Sequence, residues 1–161
     1  MVNFKAPVIY TKGVMTMFMG QYNHTIDTKG RVIIPSKFRD KLGGTFVVTK
    51  GLDECLYGYS QEDWDELAQK IAALPITNPA SRKFTRFFVG SAAECEFDKQ
   101  GRILIPASLR EYAGLSKDVV LVGAAGKIEI WSKDKYEDGT SSYEDNMDEV
   151  VASMEELGFL I

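Results

Sequence analysis

The chain has 161 residues, 45% hydrophobic and 11% aromatic, which is enough to bury a core and excludes wholesale disorder. It has no run of eighteen apolar residues, which excludes a membrane-spanning helix, and its two cysteines, Cys55 and Cys95, form no metal-ligand spacing. The net charge of −4 argues against nucleic acid only until it is divided: residues 133–161 hold nine acids and two lysines, a net of −7, which leaves +3 for residues 1–132. An acidic tail thus hides a mildly basic body, a pointer to an anionic partner. A reducing, cytoplasmic compartment is expected, with no metal and no cofactor.

In chain order, residues 1–16 carry two lysines and a weak apolar run without a secretory h-region. They read as a disordered lead or a start codon placed too early, with Met17 or Met19 as the true beginning. The stretch before Asp27 alternates and predicts a strand. Asp27-Thr-Lys-Gly30 predicts a turn, because an Asp side chain bonds the backbone two residues on and Gly supplies positive φ. Arg31-Val-Ile-Ile34 is the returning strand, which Pro35 stops. Ser36 is expected to cap a short helix over 37–41, ended by Gly43-Gly44. Residues 46–49 and 55–59 predict two more strands around a Gly51-Leu-Asp-Glu turn. Residues 61–74 place Trp64, Leu67, Ala68, Ile71 and Leu74 at helical spacing, and Pro75 ends that helix. Asn78 or Ser81 caps another, in which Phe84, Phe87 and Phe88 alternate with Arg82, Lys83 and Arg86. The phenylalanines read as core or subunit packing, and the basic face, Arg86 above all, as a candidate DNA contact. Beyond Tyr136 an irregular polar stretch is expected, then a helix over 143–157 with Met147, Val150, Val151 and Met154 along one side.

The pattern between Asp27 and Tyr59 occurs twice. Residues 24–39 align without a gap on residues 95–110, and six of the sixteen pairs are identical: Asp27/Asp98, Gly30/Gly101, Arg31/Arg102, Ile34/Ile105, Pro35/Pro106 and Arg39/Arg110. After a one-residue shift, Val47-Val48 matches Val119-Val120, Gly51 matches Gly123, and Tyr59-Ser60 matches Trp131-Ser132. A copy of about 45 residues cannot bury both faces of such a sheet by itself. The expected fold is therefore α+β, mainly β: one pseudo-symmetric barrel built from both repeats, with flanking helices. The expected organisation is a lead at 1–16, a first repeat at 17–64, a helical connector at 65–90, a second repeat at 91–136 and an acidic helical tail at 137–161.

The chemistry concentrates in Asp27-x-x-x-Arg31 and its copy Asp98-x-x-x-Arg102. Residues four apart flank a β-turn, so the Asp and Arg can face each other. At the least this stiffens a hairpin, an exposed pair contributing about 0–1 kcal/mol. The functional reading adds Lys29 and Lys99 near the tips. A tip with Lys, Gly30 or Gly101, and Arg can approach phosphates closely, and its Arg can reach guanine O6 and N7 in the major groove, which admits a two-stranded β-ribbon. Catalysis has little to stand on. His24 is the sole histidine and reads as a half-buried strand residue. The Arg four residues after Asp27 and Asp98 would lower both carboxyl pKa values and spoil general-acid work.

The opening segment Met17-Phe-Met-Gly-Gln-Tyr-x-His-x-x-Asp-x-Lys-Gly-Arg-x-x-x-Pro-x-Lys-Phe-Arg39 resembles the start of the MraZ family. Asn78-Pro79, Arg82, Arg86 and Gly90, followed by Ala93-Glu-Cys-x-x-Asp-x-x-Gly-Arg-x-x-x-Pro106, resemble its middle, and Gly123 with Glu129-Ile-Trp131 its end. The resemblance runs from residue 17 to about 136. It implies a swapped-hairpin barrel of the SpoVT/AbrB type and a non-enzymatic transcription regulator, cytoplasmic and nucleoid-associated. The implied target is double-stranded DNA at short promoter direct repeats ahead of the division and cell-wall genes, including the regulator's own. It also implies a ring homo-oligomer, roughly octamer to dodecamer, with neither a membrane nor a small-molecule substrate as partner. The second tip departs from the first, Lys99-Gln100 standing where Thr28-Lys29 stands, so equal roles for the copies do not follow. The alternative is an antitoxin-like protein-interaction module on the same fold, which the presence of two repeats in one chain disfavours.

Overall fold

Proline and glycine cut the chain into short elements, and the computed structural model describes them over residues 16–145 and 147–159. The lead expected at 1–16 lies outside the described residues but for residue 16. The first copy runs β1 (Phe18–Thr25), β2 (Arg31–Ile33), α1 (Ser36–Leu42), β3 (Thr45–Lys50), a 3₁₀ turn (Leu52–Glu54) and β4 (Leu56–Ser60). Two helices follow, α2 (Gln61–Ala72) and α3 (Pro79–Phe88). The second copy repeats the order with β5 (Ala93–Glu96), β6 (Arg102–Leu104), α4 (Ala107–Ala113), β7 (Asp118–Ala125) and β8 (Ile128–Ser132), then α5 (Lys133–Asp145) and α6 (Met147–Glu156).

Two local expectations are corrected. Ser36 does not cap α1 but lies inside it; Pro35 is the N-cap, with φ −52° and ψ 141°, and no side chain caps the helix. The reason is that the fixed proline φ already suits a cap, and its carbonyl accepts from the Phe38 and Arg39 N–H groups at 2.9 and 3.0 Å. Side-chain caps appear where the preceding residue is polar: Ser60 accepts from the Asp63 N–H at 3.2 Å, and Asn78 from the Ala80 N–H at 2.8 Å. The second correction concerns the polar stretch after Tyr136, which is helical from Lys133 to Asp145. Contacts outweigh the poor propensity of its sequence: the Tyr136 ring lies 5.7 Å from that of Trp131, and Lys135 pairs with Glu54 at 2.9 Å. The apolar side predicted for the tail is present in α6, but α6 carries no buried residue.

Six strands form one antiparallel sheet in the order β1-β7-β8-β4-β3-β5, and β2 and β6 form a separate two-stranded ribbon. The pairing crosses between the copies. Strand β1 runs against β7 from Phe18↔Ala125 to Thr25↔Asp118, while β5 runs against β3. Each copy's first strand is thus built into the other copy's part of the sheet. The expected barrel does not close among the described strands, because β1 and β5 remain the two edges. Pro35 and Pro106 stop β2 and β6 after three residues each, and these pieces pair with each other instead of extending the large ladder.

The ribbon and the helices α1 and α4 cover one face of the sheet. Val32, Ile34, Phe38, Phe46, Leu56, Ile103, Ile105, Leu109, Leu121 and Ile130 meet there in a single buried cluster drawn from both copies. The opposite face of β3 and β4 buries a smaller cluster, Val47, Trp64, Ile71 and Phe88, under α2 and α3. Phe88 and Phe87 therefore pack as expected, while Phe84 is 39% exposed.

Candidate nucleic-acid interface

Each turn is built around one carboxylate. The Asp27 Oδ1 accepts from the backbone N–H groups of Lys29 and Arg31 at 3.0 and 2.9 Å, and Oδ2 accepts from Arg31 Nε at 2.7 Å. The backbone closes with Gly30 N–H donating to the Asp27 carbonyl at 3.0 Å, and Gly30 takes φ +89°. The second turn repeats this geometry. Asp98 accepts from Gln100 and Arg102 N–H at 2.9 Å each and from Arg102 Nε at 2.7 Å, with Gly101 at φ +76°. The Arg31 N–H bond, followed by the Arg31 guanidinium and the Lys29 N–H, holds the Asp27 carboxyl down at about 2 against the opposing effect of desolvation. The same set from Arg102 and Gln100 lowers Asp98. Both carboxylates are therefore fixed anions that aim an arginine and have no proton to give.

Because Nε takes the carboxylate, the outer end of each guanidinium is left for another partner. Neither terminal Nη group makes a hydrogen bond among the described residues, and the Arg31 and Arg102 side chains are 33% and 24% exposed. Lys29 and Lys99 are exposed at the tips.

The ribbon register decides where the arginines point. Val32 pairs with Ile103, Arg31 with Leu104, and Ile33 with Arg102. Since side chains alternate across a strand, the buried Val32 and Ile103 face the core, and Arg31, Ile33, Leu104 and Arg102 share the outer face. The arginines occupy diagonal corners of that face, with Cα atoms about 7–8 Å apart by standard sheet geometry. The two turns emerge from its opposite ends.

Two further arginines, whose role a sequence reading overlooks, support this arrangement across the copies. A methyl placed on Gly30 would lie 2.6 Å from Cζ of Arg110, and one on Gly101 would collide with Arg39. Each turn's glycine is therefore a gap filled by the other copy's arginine. Both Nε atoms are buried without a hydrogen-bond partner among the described residues. The identity of Arg39 and Arg110 in the repeat alignment was the available signal. Arg86 is not gathered into this surface. It is exposed on α3, where it lines a cleft with Ile71, Leu74, Ile76 and Arg82 between α2 and α3.

The remaining reactive groups lie elsewhere. Burial pushes the Cys55 thiol up to about 12 and Cys95 to about 11. Among the described residues no group of three or more His, Cys, Asp or Glu is placed to hold a metal ion. No described helix is long and apolar enough to cross a membrane.

The duplicated unit also appears when the chain is compared with known proteins. The model of the family described as "MraZ protein, putative antitoxin-like" matches residues 17–87 and again residues 88–156. The chain belongs to the MraZ family. Proteins named "Transcriptional regulator MraZ" from Lachnoclostridium phytofermentans and Halothermothrix orenii are 56% and 53% identical to it over 142 residues. Those matches span 88% of this chain and 98% and 99% of the relatives. The MraZ relative of Ligilactobacillus salivarius is 53% identical over 138 residues, covering 86% of this chain and 96% of its own. The names of these MraZ relatives describe regulators of transcription and state no reaction.

Proposed function

We propose that this chain is a DNA-binding transcription regulator that lays the β2–β6 ribbon and its two turns into the major groove of promoter DNA. The observation that carries the reading is the pair of arginines on one outer ribbon face, each aimed by a carboxylate through Nε and open at Nη. A two-stranded ribbon fits the major groove, and a guanidinium presented end-on matches guanine O6 and N7. Lys29 and Lys99 at the tips add phosphate contacts, and Arg86 on α3 offers a separate cation for DNA away from the ribbon face. The exchange of β1 and β5 between the copies supports a swapped arrangement of the two repeats on a sheet that stays open at β1 and β5.

The proposed target is a set of short direct repeats ahead of division and cell-wall genes, including the regulator's own. One ribbon offers few cations, so tight binding at physiological salt needs several subunits on successive repeats. A ring homo-oligomer of roughly eight to twelve chains supplies them and turns the acidic tails away from the DNA. Cytoplasmic, nucleoid-associated placement goes with that role. The test is a gel shift and footprint on DNA upstream of the gene, alongside native mass. Arg31→Ala is expected to lose about 5- to 150-fold in specific affinity, the weight of a bidentate guanine contact, with oligomer size unchanged. Full promoter binding by that variant at about 0.15 M salt rejects the assignment.

A protein-interaction role is favoured by one separate observation: Met147, Met154, Leu157 and Phe159 are exposed at the end of the chain. Co-purification of a stoichiometric partner protein, lost on truncation before Met147, is the result that supports it.

A further inference from the structure

Two aliphatic side chains stand in the open on the ribbon, where a solvated strand would carry polar groups. Ile33 is 43% exposed and Leu104 is 58% exposed. They add nothing to the core, which the ribbon meets through Val32 and Ile103 on its other side. The register sets Leu104 opposite Arg31 and Ile33 opposite Arg102. Each aliphatic chain is therefore the cross-strand neighbour of a guanidinium, at a Cβ separation of about 5 Å. The face reads arginine–aliphatic across one pair and aliphatic–arginine across the next pair on that side, the two halves related by the duplication.

We propose that Ile33 and Leu104 are specificity residues that pack on the 5-methyl groups of thymines in the major groove, each beside a guanine read by its cross-strand arginine. This rests on the reading of the ribbon as the DNA-contacting surface. The thymine methyl is the apolar projection on the major-groove edge of the base pairs. An aliphatic chain against it removes apolar surface of both from water. Against cytosine, the same chain would strip water from the N4 amino donor and return no hydrogen bond. Successive bases on a strand are about 3.4 Å apart, so neighbours separated by about 5 Å on the ribbon address the same or adjacent base pairs. The open Nη donors that flank both aliphatic chains favour a polyanion over a protein surface as occupant. The two halves run in opposite directions, so the preferred element carries guanine–thymine neighbours on both strands.

The probe is the DNA fragment upstream of the coding sequence, prepared once with thymine and once with deoxyuridine throughout. Uracil keeps every hydrogen bond of thymine and lacks only the methyl. The native protein is expected to bind the thymine form about tenfold more tightly for each engaged subunit, as two buried methyls per ribbon predict. The Ile33→Ala, Leu104→Ala variant is expected to bind the thymine form more weakly and to lose the difference between the forms. Equal binding of both forms by the native protein, with binding abolished in Arg31→Ala, Arg102→Ala, overturns the methyl contact and leaves the ribbon reading intact. Full binding by that arginine variant removes the ribbon reading itself. An alanine variant that keeps the thymine preference but changes its native mass also overturns the proposal and assigns the patch to a contact between copies of the chain.

Discussion

Asp27 and Asp98 each organise three donors within five residues, and that local economy makes the turns robust. The Asp27 carboxyl is lowered from 3.8 to about 2 in the folded turn. A depressed carboxyl stabilises the fold fully above its unfolded value and loses that contribution as pH falls. The Asp27 contribution is therefore complete above pH 3.8 and disappears as pH drops from 3.8 toward 2, so the turn holds its arginine across the neutral range. A carboxyl-carbon NMR titration checks this; a midpoint near 4 for Asp27 contradicts the bonded turn. Gly30 is required for a second reason, since it combines φ +89° with the Arg110 guanidinium in the space a methyl would take. Gly30→Ala is expected to cost about 1–2 kcal/mol for the backbone alone, read from urea unfolding, and to weaken DNA binding by moving Arg110. The Asp-Gly-Arg turn was legible in the sequence because all its bonds are local. The role of Arg39 and Arg110 was not, because Arg39 acts on Gly101, 62 residues away, and Arg110 on Gly30, 80 residues away.

At the scale of elements, short strands limit what periodicity can show. β2 and β6 have three residues each, too few to display an alternation. Which of Arg31, Val32 and Ile33 faces outward became clear only from the pairing of β2 with β6. Adjacent ribbon residues should therefore differ sharply on truncation. Ile103→Ala, in the core, is expected to cost about 2–5 kcal/mol, while Leu104→Ala, 58% exposed, should stay within about 0.5 kcal/mol. Chemical denaturation of the two variants checks the contrast, and equal losses would place Leu104 in a buried contact. The misplaced cap at Ser36 and the unforeseen α5 have separate causes. A proline took the cap position by its own geometry, and Trp131 and Glu54 supplied contacts that outweigh the propensity of a Gly- and Ser-containing stretch.

For the whole molecule, the duplication creates a surface that neither copy has alone. Arg31 comes from the first copy and Arg102 from the second, and the ribbon joins them on one face. The charge division has the same consequence at long range, a basic body carrying an acidic end. If Lys29 meets phosphate and Arg31 meets bases, their variants should behave differently in salt. Lys29→Ala is expected to reduce the slope of log affinity against log salt by about 1 for each engaged subunit, with no change in sequence preference. Titrations between 50 and 200 mM salt measure this, and an unchanged slope removes Lys29 from the interface.

The sequence by itself determined the duplication, the turn chemistry at Asp27 and Asp98, the proline stops, and which strands carry core residues. These rest on interactions within a few residues or on a pattern that repeats along the chain. Only the tertiary structure decided that each copy's first strand joins the other copy's sheet, that the sheet stays open at β1 and β5, and that Arg31 and Arg102 share an outer face with Ile33 and Leu104. The physical reason is that hydrogen-bonding partners of a strand are chosen by packing the whole apolar surface at once, and three-residue strands carry too little local information to choose for themselves.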